Sequence, residues 1–219
     1  MSSRERLVDT MRDLLSRQGY AATGLNQLVA ESGSPKGSIY HFFPGGKEQI
    51  AAEAVTRAGV EAAAATSLAF ANTATAAEAV DAIVGWLGGQ LRDSDFRYGC
   101  SIAATALQVD AGSERLRLAC ADAFTTWLDA LSDGLTDAGW APGEARSRAT
   151  VALASIEGAL VLSRAQRSLW PLDHVRRQLS RDLSIDLTAG LAGDLTATAT
   201  ADPTVAGDTD RSGGTARAR

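Results

Sequence analysis

Cysteine and histidine are almost missing from this chain. Cys100 and Cys120 are its only thiols, and His41 and His174 its only imidazoles. Two thiols cannot build a disulfide framework, so each reads as a small core residue, with redox sensing the rarer alternative. No zinc-ligand spacing, phosphate loop or nucleophile elbow occurs, which leaves hydrolytic and metal-dependent enzymes without the residues they need. No enzymatic activity, cofactor or metal is therefore expected. No apolar run is long enough to cross a bilayer, and no apolar signal segment follows the N-terminal Met1-Ser2-Ser3-Arg4-Glu5-Arg6. The expected setting is cytoplasmic, with no membrane partner. Strand-period alternation is absent too. The net charge of -5 argues against a generic polyanion binder.

What remains is helical. The 219 residues, 45% of them hydrophobic, suffice for one large domain or two smaller ones. Leu7, Val8, Met11, Leu14 and Leu15 form one apolar stripe, predicting a first helix from about Ser3 to Gln18 that Gly19 stops. Thr23 is positioned to cap a second helix carrying Leu25, Leu28 and Val29 on its buried side. Gly33 supplies a tight turn, Ser34 a cap and Pro35 a first helical residue for a third. Pro44-Gly45-Gly46 breaks the chain before a long helix from Lys47 towards Phe70. Four further apolar patterns follow, and a short helix is expected between about Cys100 and Gln108. About nine helices are expected in all, an all-α fold. After Leu195 the composition turns to Thr, Ala, Gly, Asp and Pro, and residues 196–219 are expected to be a disordered tail.

The third helix is small and polar at its start and aromatic at its end, a form that suits the major groove of DNA. Lys36 offers charge to a phosphate or a guanine edge, and Ser38 a hydroxyl to a base. Gly37 costs about 1 kcal/mol in a helix against alanine. It either lets the backbone approach DNA or packs against the second helix. Tyr40 and His41 can reach the sugar-phosphate backbone; His41 has no partners for a metal site. Thr23 and Lys47 begin the flanking helices and can each grip a phosphate, and Ser34, at the start of the third helix, is a further candidate for DNA contact. Six basic and five acidic side chains leave residues 1–50 at +1, so the remainder carries -6, a near-neutral head on an acidic body. Singly each feature has a plain structural explanation; their order and spacing favour DNA. A dimerising helical adaptor without DNA binding is the rival reading.

These residues resemble the tetracycline-repressor-like (TetR/AcrR) family of bacterial transcription regulators. The likeness runs from about Arg4 to Val55. It is carried by Gly19-Tyr20-Ala21-Ala22-Thr23-Gly24-Leu25, by the stretch from Leu28 through Ser34-Pro35-Lys36-Gly37-Ser38-Ile39-Tyr40-His41-Phe42-Phe43 to Pro44, and by Gly46-Lys47-Glu48-Gln49-Ile50. One extra glycine between Pro44 and Lys47 is similar to a multidrug-type subgroup. The resemblance implies a helix-turn-helix DNA-binding domain over residues 1–48 and a helical ligand-binding and dimerisation domain over 49–195. Its function would be that of a repressor released from a palindromic double-stranded operator by a small apolar or aromatic effector. It implies a homodimer built on two long helices, here about Gly143–Gln166 and Leu172–Ala189, with Val151, Ala154, Gly158, Leu162, Val175, Leu179 and Leu183 as interface candidates. Burial of those residues within one subunit is the alternative. It also implies a pocket, with Phe70, Trp86, Phe96, Tyr98, Cys100, Leu107, Phe124 and Trp127 as candidates and plain core packing as the competing explanation for each.

Overall fold

A computed structural model describes residues 1–109 and 112–184, and those residues form helices and connecting turns. The helices are α1 (Ser3–Ala22), α2 (Leu25–Ser32), α3 (Gly37–Phe42), α4 (Gly46–Ala71), α5 (Ala76–Asp93), α6 (Ser101–Ala106), α7 (Glu114–Asp137), α8 (Pro142–Gln166) and α9 (Trp170–Asp182). Leu187, Ala189 and the segment 196–219 lie outside the described residues.

Local chemistry sets most of the ends. The Ser2 hydroxyl accepts from the Glu5 N–H while Glu5 accepts from the Ser2 N–H, a reciprocal cap on α1. Thr75 and Glu78 repeat the device on α5. Pro142 occupies the first turn of α8, where no donor is missed. Gly19 breaks the helical path of α1 with φ 77° and ψ 179°, a conformation close to glycine-only. The Gln108 amide fills the space a Cβ would take there and accepts from the Ala21 N–H at 2.8 Å. The break expected at Gly19 is therefore present, with one further turn after it.

The third helix starts later than the sequence suggested. Ser34 does not cap it, Pro35 is not its first residue, and Lys36 holds the N-cap position. The Pro35 carbonyl instead accepts from the Ser38 N–H at 2.9 Å, closing a tight turn ahead of the helix. Thr23 likewise does not cap α2, because Gly24 does.

In the head, Leu7, Met11, Leu14, Leu28, Ile39 and Phe43 are buried together. Behind it α4 packs most closely on α7. A Cβ on Gly59 would lie 2.7 Å from the Ala123 backbone, so these two helices meet at van der Waals contact. α1 is shared, packing on α2 and α3 on one side and on α4 and α6 on the other. Three ion pairs lace α1 to α4 at about one per helical turn: Arg4 with Glu53, Asp9 with Arg57 and Arg12 with Glu61. No helix among the described residues is long and apolar enough to cross a membrane.

Candidate DNA interface and ligand cavity

Ile39 and Phe43 fix α3 to the head by burying its inner side. That leaves Lys36, Gly37, Tyr40 and His41 exposed, Tyr40 at 63% of its surface, with Ser38 half-buried. Gly37 faces open space, since a Cβ there would meet nothing within 4 Å. Packing against α2 is thus not what glycine serves at this position. Two expected contacts need correction. Thr23 is 1% exposed and its hydroxyl donates to the Gly19 carbonyl at 2.7 Å. Ser34 is also buried, its N–H donating to the Ser32 hydroxyl. Both side chains close the turns from inside because each sits between two helices that must be joined tightly.

The neighbouring backbone is open instead. Gly24 caps α2 without a side-chain bond, as Gly45 does for α4. At α4 the Gly45 N–H donates to the Gln49 side chain at 3.0 Å and the Gly46 N–H to the Phe43 carbonyl at 2.8 Å, so it is the first N–H groups of α2 that lack an intrahelical acceptor. Lys47 is half-buried, its ammonium 4.2 Å from the centre of the Tyr20 ring, and burial lowers its pKa. Lys36 and Lys47 are the only lysines in the chain; the other nineteen basic residues are arginines.

Behind the head, a cavity of about 320 Å³ opens between α1, α4, α5 and the segment before α6. Trp86, Cys100 and Trp127 line it, as does Tyr98. Arg12, Asp13 and Ser16 of α1 and Glu61 of α4 line it as well, and no local sequence pattern marks them. Trp127 is held by an Nε1–H donated to the Thr66 hydroxyl at 3.0 Å. Four pocket candidates lie elsewhere. Leu107 is 82% exposed at the end of α6, Phe96 and Phe124 pack on the core, and Phe70 lays its ring on Gly134 beside another hollow. Burial pushes the Cys100 thiol well up, and the Cys120 thiol up to about 11, so neither is an activated thiolate. The Glu157 carboxyl beside Cys100 is pushed up to about 7 by burial, and neither of its oxygens has a hydrogen-bond partner among the described residues.

The interface candidates divide by face. Val151, Ala154, Gly158 and Leu162 are exposed along one side of α8. Leu179 and Leu183 are buried and Val175 is half-buried against the core, because these α9 positions hold α9 to α5 and α8 within the subunit.

A short, partly exposed helix set against a second one across a left-handed glycine, on a helical body with an internal cavity, defines a helix-turn-helix transcriptional regulator. The chain belongs to the TetR family of bacterial regulators. Residues 7–54 match the profile of "Bacterial regulatory proteins, tetR family", and residues 76–178 that of "Transcriptional regulator LmrA/YxaF-like, C-terminal domain". It is 35% identical to the HTH-type transcriptional regulator LmrA of Bacillus subtilis over 79% of this chain and 92% of that one. It is 36% identical to an HTH-type transcriptional regulator of Mycobacterium tuberculosis over 84% of this chain and 95% of that one. The fold matches a TetR regulatory protein of Rhodobacter sphaeroides with TM-score 0.75 at 19% identity, covering 83% and 98% of the two chains. It matches reduced NemR of Escherichia coli with TM-score 0.69 at 23% identity, covering 81% and 95%.

Proposed function

We propose that this regulator is a homodimeric repressor that leaves a palindromic operator when a small apolar or aromatic effector fills the cavity. The observation that carries the reading is the sharing of two helices. α4 begins at Gly46, with Lys47 in its first turn, and, 26 residues long, spans about 39 Å, so that Glu61 reaches the cavity wall. α1 contributes the Arg12 side of the same wall. The working division is a DNA-binding head at residues 1–48 and an effector and dimer body over residues 49–195.

In this reading Lys36, Gly37 and Ser38 meet base edges, while Tyr40, His41 and Lys47 meet the sugar-phosphate backbone. The phosphate contact expected of the Thr23 side chain falls to the first N–H groups of α2. Two heads on one face of DNA would sit roughly 34–36 Å apart or somewhat more. Effector binding that moves α4 against α1 changes that separation, with a coupling of about 1–3 kcal/mol that is reciprocal.

The test begins with selection of a palindrome from genomic fragments, followed by fluorescence anisotropy. Lys36→Ala should weaken binding and make the dependence of log affinity on log salt shallower by about one unit. Salt-insensitive binding, or none to any selected fragment, ends the DNA assignment. Operator affinity that no cavity ligand changes ends the effector half alone.

A further inference from the structure

The break in α1 at Gly19 is held from the body. In an unbroken helix the Ala21 N–H would donate to the Arg17 carbonyl, four residues back. Here the two groups part. The Ala21 N–H donates to the Gln108 side chain at 2.8 Å, and the Arg17 carbonyl accepts from the Arg164 guanidinium at 2.5 Å. One residue earlier, the Ser16 carbonyl accepts from the Gly99 N–H at 3.0 Å. The end of α6, the segment before it and α8 therefore all meet the broken end of α1.

Arg164 stands apart from the other arginines nearby. Arg167 holds Asp95 and Arg17 holds Glu31, whereas among the described residues no carboxylate pairs with Arg164. Its cation answers a backbone oxygen at the end of a helical run, where the helix dipole is negative. The side chain reaches that oxygen by crossing Gly99. A Cβ on Gly99 would lie 3.2 Å from Arg164 Nη1 and 3.8 Å from the Ser16 carbonyl oxygen, so a methyl group there crowds the guanidinium.

The residues after the break serve the head. The Tyr20 ring carries the Lys47 ammonium, and the Gln18 amide donates to the Ala22 carbonyl and to the Gln27 side chain of α2. Where this short stretch sits thus sets where Lys47 and the start of α2 sit.

We propose that Arg164 is a positioning residue for the DNA-binding head. Its bond to the Arg17 carbonyl, made across Gly99, fixes the angle at which α1 leaves the body, and with it the separation of the two heads on DNA. The inference rests on the dimeric, DNA-binding reading above and adds a route from α8 to the head that does not pass through α4. Leu162 and Ala165 flank Arg164 on the exposed side of α8, so a shift of that helix reaches the head directly.

The test uses the full chain and three palindromes. One is the palindrome selected from genomic fragments; the others have one base pair added to or removed from its centre. Fluorescence anisotropy gives the affinities, while sedimentation velocity and urea titration follow assembly and folding. The native chain should prefer the selected spacing by about tenfold or more, because the heads fit one separation. Arg164→Met keeps the stem and removes the donor. It should lose about tenfold on the selected spacing, the worth of one charge-assisted hydrogen bond, and much less on the other two. Gly99→Ala, which crowds the guanidinium without removing it, should narrow the preference in the same way, and it decides alone if Arg164→Met fails to fold. Equal losses at all three spacings would mark Arg164 as a stabilising contact only and overturn the proposal. A preference unchanged in both variants would do the same. A native chain that binds none of the fragments would bring down the DNA reading, and this inference with it.

Discussion

Glu157 holds a carboxyl that burial keeps from ionising at its ordinary pH. Its folded pKa of about 7 stands above the usual 4.5, so the folded protein binds this proton more tightly than the unfolded chain does. The resulting stabilisation is complete below the unfolded value and is lost as pH rises through the folded one. Its size is at most about 3 kcal/mol, less whatever solvent reaches the side chain. Stability of the native sequence relative to Glu157→Gln should therefore fall between about pH 5 and about pH 8, in urea titrations at each pH. A difference that stays flat across that range would show that Glu157 ionises freely. Nothing in the sequence around Glu157 announces this. The residue sits in an ordinary helical stretch, its shift comes from burial, and the Cys100 thiol that opposes the shift lies 57 positions earlier. Arg12 and Glu61 were hidden in the same way, since an ion pair across 49 residues leaves no mark in local periodicity.

At the level of the helix, the chain was far easier to read. Apolar spacing of three and four marked α1, α5, α7 and α8, and Gly19 marked the break in the first of them. Thr23 and Ser34 were misread because residue type alone cannot tell an exposed cap from a hydroxyl turned inward. In both turns an adjacent glycine or lysine took the cap position, and the hydroxyl satisfied backbone groups inside. Leu107 was misread for a related reason: α6 ends one residue before it, which turns its side chain out of the body. The Gly59 crossing belongs to this scale. A methyl group there has no room against the Ala123 backbone, and the strain should outweigh the roughly 1 kcal/mol that alanine gains in helix propensity. Gly59→Ala should cost a net of about 1–2 kcal/mol, read as a lower urea midpoint with unchanged slope. An unchanged or higher midpoint would mean that α4 and α7 separate freely.

For the whole molecule, the decisive surface is the outer side of α8. Val151 at 62% exposure, Val161 and Leu162 stand with Ala154 and Gly158 on a face that no described part of the subunit covers. Small residues along it permit close helix approach. Leu162→Asp should turn the assembly into monomers in sedimentation velocity and, since each half-site then binds alone, weaken operator binding by about 100-fold or more. A variant that stays dimeric would place the contact elsewhere. The division of basic residues has a practical outcome at this same scale. With lysine confined to positions 36 and 47, the terminal amine aside, any acylating dye, cross-linker or amine-coupled sensor chip must react at the end meant for the double helix. An immobilised sample would then fail to capture its target while remaining fully folded, whereas attachment that spares both lysines would leave that end free.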